Sequence, residues 1–186
     1  MQINEQERLN KNLLKNAVEF HGHLCFGLLV GYRASVLALK LLKADKSKDD
    51  ELFCISENDS CAVDAVQYIA GCTLGKGNLK IKKYGKHAYT FAKRSSENKK
   101  KTSAYRITIN YNAFAGLNKK DRMKKIKENN DKELFNVKKI KLKLPEKAKV
   151  YPSVQCAKCK EQVMLKKTFK VKGKLYCTAC YKPTVR

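Results

Sequence analysis

The sequence predicts an α+β protein, with helices packed on a mainly antiparallel sheet, followed by a small C-terminal zinc-binding domain. Three observations carry that prediction. Residues 5–42 hold two successive helical patterns of apolar residues, and HAYTFAKR (87–94) and AYRITINY (104–111) alternate as antiparallel strands do. Beyond Pro145, two Cys-x-x-Cys pairs lie in a segment too poor in large apolar residues to fold well by burial alone. At 186 residues the chain has room for one main core and one accessory module. The expected division is a core domain over residues 1–145 and a four-cysteine domain over 150–186.

Residues 5–20 place Leu9, Leu13, Leu14, Ala17, Val18 and Phe20 on an amphipathic helix that ends near the His-Gly-His step. From Leu24 to Leu42 the apolar stripe is broad, and Gly31 and Ala34 permit close approach, so a long and mostly buried helix is expected. LFCIS (52–56) reads as a short core strand, ENDS as a turn with capping residues, and CAVDAVQYIAG from Cys61 as a helix ended by Gly71. A glycine-containing loop then leads into a strand at 79–83. NKKDRMKKIKENNDKE (118–133) is expected as one highly charged helix, LFNVKKIKLKL (134–144) as a further strand, and Pro145 to Pro152 as a linker.

The tail carries the clearest chemical signal. Cys156-Ala-Lys-Cys159 and Cys177-Thr-Ala-Cys180 are separated by seventeen residues able to form a hairpin turning near Gly173. Two thiolates two residues apart reach one ion, and four soft thiolates in a tetrahedral set favour Zn²⁺, with iron second. Such a closed site has no position for substrate and is structural; the alternative reading is two redox-active Cys-x-x-Cys pairs.

A second cluster opens the chain: His21, His23 and Cys25 at alternate positions before the long helix. If residues 21–25 are extended, the three side chains share one side of the backbone. Cys25 and Cys61 both precede helices, where unpaired amides favour a thiolate, and Asp64 lies one turn beyond Cys61, placed to orient a ligand or take a proton. Imidazole and thiolate together suit Zn²⁺ or another late transition metal, and three protein ligands would leave a position open. Each residue also has a plainer reading. His21 can close the first helix, His23 can pack in a loop, and Cys25 and Cys61 can be small buried hydrophobes. Cys54 in its apolar strand reads as core. The loop from Gly71 to Leu79, with Lys76, either wraps an anion or is a structural turn; its spacing is not that of a phosphate-binding GxxxxGK[ST] loop.

FHGHLCFGLLVGYRA and ENDSCAVDAVQYIAGCTLGKGNL resemble the two signature stretches of the E-subunit family of formylmethanofuran dehydrogenase, and the four-cysteine tail is similar to the zinc-binding extension of many members. The resemblance implies an α+β core that dimerises, a metal-associated cleft near the first motif, and a treble-clef or ribbon-like zinc module. Ligand-type positions of the family fall on His21, His23, Cys25 and Cys61, with Asp64, Gln67, Cys72, Gly75, Lys76 and Asn78 around them. Phe26 stands where the family usually has proline. The family name implies association with the subunits of the molybdenum or tungsten enzyme of methanogenesis. This chain has neither the large cofactor-binding domains nor the ferredoxin-type cysteine runs of that enzyme, so it is not itself the dehydrogenase.

Two thirds of a formal net charge of +24 lies beyond residue 116, pointing to an anionic partner there. The excess is lysine, with little of the arginine that base reading uses. No apolar run is long enough to span a membrane and no leader-like segment opens the sequence. A cytoplasmic location is therefore expected, and the eight cysteines are read as ligands, thiols or core residues. The leading functional reading is an accessory metal-binding homodimer whose zinc module docks a partner. The second is a small metalloenzyme in which Asp64 moves a proton and Lys76 steadies an anionic substrate. The third is a nucleic-acid-binding zinc protein.

Overall fold

The computed structural model describes residues 10–94, 102–146 and 150–181. The chain forms two compact units, Met1–Lys147 and Ala148–Arg186. The first is a mixed α+β fold built on one five-stranded sheet.

Helix α1 (Lys11–His21) starts at Asn10, whose side chain accepts the Leu13 amide. Residues 5–9 of the expected helix lie outside the described residues. Helix α2 (Phe26–Leu42) is buried along most of its length, as its broad apolar stripe requires. Strand β1 (Leu52–Ser56) follows, then α3 (Ala62–Ala65), which widens into a π-helical turn over Val66–Ala70. That turn ends at Gly71, whose φ of +68 and close approach to the Ser47 carbonyl leave no room for a side chain.

Strands β2 (Leu79–Ile81), β3 (Ala88–Lys93), β4 (Thr102–Ile109) and β5 (Phe135–Leu142) complete the sheet in the order β2-β1-β3-β4-β5. Only the β1–β2 pairing is parallel, with Cys54 opposite Leu79. The rest is antiparallel, and Cys54, Phe91, Tyr105 and Lys139 stand in one cross-strand row. Helix α2 packs on β3 and β4, with Leu29, Val30, Leu37, Phe91, Ile107 and Phe114 in the main core. A smaller cluster of Ala17, Leu28, Tyr32, Ala65 and Ile69 joins α1, α2 and α3. A Cβ on Gly31 would lie 2.2 Å from the Ala62 carbonyl oxygen, so α2 and α3 meet backbone to backbone.

One expectation is corrected. Residues 118–133 form two helices, α4 (Lys119–Glu128) and α5 (Asp131–Leu134), with a break at Asn129–Asn130. The cause lies in α2. The buried Arg33 guanidinium donates to the carbonyls of Ile126 (2.8 Å), Lys127 (3.3 Å) and Asn129 (2.9 Å) and to Asp131 (2.6 Å). A fixed cation at the carbonyl end of α4 terminates it, and Asn130 caps the next turn by accepting the Glu133 amide.

In the second unit, β6 (Ser153–Gln155) pairs with β7 (Gln162–Met164), and β8 (Thr168–Val171) pairs with β9 (Lys174–Cys177). The second hairpin turns at Lys172 and Gly173, both with positive φ, as a tight two-residue turn demands. Cys156 and Cys159 lie on the turn between β6 and β7, and Cys177 and Cys180 lie at the end of β9. No described helix is long and apolar enough to cross a membrane.

Candidate metal centres

The first cluster is made by a reversal of the backbone rather than by an extended segment. His21 is the last residue of α1. Gly22, at φ +96, donates to the Val18 carbonyl (2.7 Å) and turns the chain out of the helix. Cys25 is the extended N-cap of α2, its sulfur accepting the Leu28 amide at 3.4 Å. The helix end and the helix start thereby face each other. The donor atoms of His21, His23 and Cys25 all lie within 4.8 Å of one another. His21 Nε2 is 3.9 Å from Cys25 Sγ, and the two imidazole rings are 4.6 Å apart.

Asp64 sits behind this cluster rather than in it. Its Oδ2 lies 2.7 Å from His21 Nδ1, while its Oδ1 accepts from Gln67 Nε2 (3.4 Å), and Gln67 Oε1 accepts the Leu74 amide (3.4 Å). A carboxylate on Nδ1 places that proton between them and leaves the Nε2 lone pair toward Cys25. In this arrangement Asp64 would orient His21 from behind without itself touching an ion held at Nε2. Asp64 and Gln67 reach their positions because α3 passes into the π-helical turn between them.

Cys61 lies beside Cys25 across Gly27, whose added Cβ would be 3.3 Å from Cys61 Cβ and 4.0 Å from Cys25 Sγ. It is not one of the three mutually close donors. Burial, and then the adjacent Cys25 thiol, push the Cys61 thiol up. Lys76 is not brought to the cluster: its Nζ donates to the Ser47 (3.0 Å) and Lys48 (3.3 Å) carbonyls. The fully buried Asn78 bonds the Asp49, Leu52 and Gly71 carbonyls and accepts the Thr73 amide. The Lys76 and Asn78 side chains are thus bonded within the fold. Cys54 and Cys72 are fully buried, and burial pushes both thiols up, Cys72 to about 12.

Sequence reasoning missed one polar cluster. His87 Nδ1 is 2.8 Å from the buried Tyr89 hydroxyl, which accepts from Asn58 Nδ2 (3.1 Å), and burial holds the His87 imidazole below its usual value. The available signal was a histidine two residues before a tyrosine at the start of a strand.

The second cluster is in the C-terminal unit. The sulfurs of Cys156, Cys159, Cys177 and Cys180 all lie within 4.8 Å of one another, with Cys159 and Cys177 at 3.9 Å. The Cys177 amide donates to Cys156 Sγ at 3.3 Å. That amide, with those of Cys159 and Lys158, draws the Cys156 thiol down to about 6. Backbone donors aimed at a thiolate, in a set of four sulfurs, fit a tetrahedral soft ion.

The FmdE family, described as "FmdE, Molybdenum formylmethanofuran dehydrogenase operon", matches residues 20–159. A probable S-adenosyl-L-methionine-binding protein of Archaeoglobus fulgidus is 37% identical over 97 residues, 50% of this chain and 26% of that protein. The chain thus spans about a quarter of that curated relative. The crystal structure of a tungsten formylmethanofuran dehydrogenase FmdE-like protein from Syntrophus aciditrophicus superposes with a TM-score of 0.64 at 21% identity, over 91% of this chain and 90% of that one. That likeness concerns the fold. The family match takes in both signature stretches and the first cysteine pair of the tail, and on it this chain belongs to the FmdE family.

Proposed function

We propose that this chain is an accessory metal-binding protein of the FmdE type, acting as a cytoplasmic homodimer. His21, His23 and Cys25 would hold a transition-metal ion, Zn²⁺ by the mixture of imidazole and thiolate, with Cys61 beside them as a further donor. Cys156, Cys159, Cys177 and Cys180 would hold a structural Zn²⁺ that keeps the C-terminal unit in shape for docking a partner. The single observation carrying the first site is the His21 geometry: Nδ1 fixed by Asp64, Nε2 turned toward Cys25. The partners this reading implies are subunits of formylmethanofuran dehydrogenase, and its setting is methanogenesis.

When bound, the ion in the first site would supply Lewis acidity and an exchangeable position. This chain's own residues orient it. Asp64 keeps the His21 proton on Nδ1, the Leu28 amide donates to Cys25 Sγ, and His23 stands exposed at the rim. A metalloenzyme acting on an anionic substrate, with Asp64 as proton carrier and Lys76 as anion clamp, has less support. Asp64 is committed to His21, and Lys76 to backbone carbonyls. The S-adenosylmethionine ligand of the Archaeoglobus relative is not assigned to this chain, which matches a minor part of that protein.

Metal content of the full-length chain, purified without added metal, tests the proposal. Two equivalents are expected, one lost on Cys25→Ser and the other on Cys159→Ser. A single equivalent, unaffected by Cys25→Ser, would return the His/Cys cluster to a packing role.

A further inference from the structure

We propose that the β8–β9 hairpin of the C-terminal unit binds single-stranded nucleic acid, a base stacking on Phe169 and the surrounding lysines carrying the phosphates. This goes beyond the docking role proposed for that unit and is argued from the hairpin's own residues.

Phe169 is 42% exposed, and Met164, Leu165 and Val171 of the same unit are exposed as well. Its ring lies 4.2 Å from that of Tyr181 and 13° from parallel, and Tyr176 stands directly opposite Phe169 in the hairpin register. One face of Phe169 is therefore braced by Tyr181 while the residue stays open to solvent. The strand is exposed from Phe169 to Val171.

The charge around this platform has one sign. Lys167, Lys170, Lys172 and Lys174 make no ion pair among the described residues, whereas Lys166 is occupied by the Tyr151 hydroxyl at 2.8 Å. Across residues 148–186 the one acidic side chain is Glu161, which lies 3.5 Å from Cys159 Sγ and offers the hairpin no counter-charge.

Flat aromatic surface among uncompensated cations fits a polyanion whose bases are free to stack. An acidic protein would use the lysines and leave the braced ring without a role. A duplex keeps its base faces stacked on each other. Stacking on an aromatic face and lysine contacts to phosphates carry little sequence information, so binding is expected to be broadly sequence-tolerant.

The test uses the zinc-loaded full-length chain and a fluorescent oligothymidylate about a dozen nucleotides long, read by anisotropy at two salt concentrations. The oligonucleotide should bind, more weakly at the higher salt, and better than a duplex of equal length. Phe169→Ala should weaken it about tenfold and Phe169→Tyr should restore it. Equal binding of duplex and single strand, or Phe169→Ala binding as well as wild type, would overturn the proposal. So would polyglutamate of the same charge competing as well as the oligonucleotide, which marks an acidic protein partner or plain charge. Zinc content is read on the same samples. A protein lacking tail zinc that still binds through Phe169 overturns the metal reading and leaves this one standing.

Discussion

Replacing Asp64 by Asn isolates the charge behind His21. Asn keeps the size of the side chain and an oxygen that can accept from Nδ1, so the loss is that of a carboxylate 2.7 Å from the ring. The His21 side chain is 10% exposed and that of Asp64 39%, so water already screens part of the interaction. Groups that hold a ligating histidine from behind contribute about 10–100-fold in metal affinity. The screening puts Asp64→Asn at the lower end, about tenfold or about 1.4 kcal/mol. Asp64→Ala also frees the ring to rotate and should fall toward about a hundredfold. Chelator competition on the full-length chain measures both, with the four-cysteine site as an internal reference that neither variant should shift. Unchanged affinity in both variants would refute the orientation of His21 Nε2 as a ligand.

Two further substitutions probe the frame that holds the site. Gly31→Ala drives a Cβ to 2.2 Å from the Ala62 carbonyl, so α2 and α3 must separate. The expected loss is about 3 kcal/mol, with a clear fall in Tm and weakened binding at the His/Cys site; an unchanged melting curve would show that the two backbones have room to part. Glu57 receives two bonds from Arg106, Nε to Oε1 at 2.7 Å and the second guanidinium nitrogen to Oε2 at 2.8 Å, and that pairing lowers its carboxyl pKa. Its contribution is complete above the unfolded carboxyl value, about 4.3, and is lost as pH falls through the lower folded value. Glu57→Gln should cost about 1–2 kcal/mol at neutral pH and flatten the acid limb of the stability curve; denaturant titrations at several pH values check both.

Local pattern made most elements legible. The α2 stripe, the alternation in β3 and β4, and the turn at Gly173 each follow from a few neighbouring residues. The break between α4 and α5 was not legible, because nothing in NKKDRMKKIKENNDKE announces an arginine from another helix. Arg33 stands 93 residues before Ile126, its first carbonyl partner in that segment. The pair Asn129–Asn130 was a local hint, since asparagine favours caps over helix interiors. It acquires force once a buried cation holds the preceding carbonyls.

The candidate site divides along the same line. His21, His23 and Cys25 are neighbours in sequence, so their convergence needs only Gly22 and the cap of α2. The roles of Asp64 and Lys76 depend on where distant segments come to rest. Both suggest catalysis in the sequence because both are polar near a signature stretch, yet one reaches His21 and the other reaches the carbonyls after α2. What decides between them is the contact of Gly31 with Ala62. It presses α3 against α2 so that Asp64 lies over the end of α1, while the π-helical turn and Gly71 carry the following loop back to Ser47. A glycine with no chemistry of its own thus determines which polar side chain reaches His21, and Gly31→Ala and Asp64→Ala should lower metal affinity at the first cluster without changing the second.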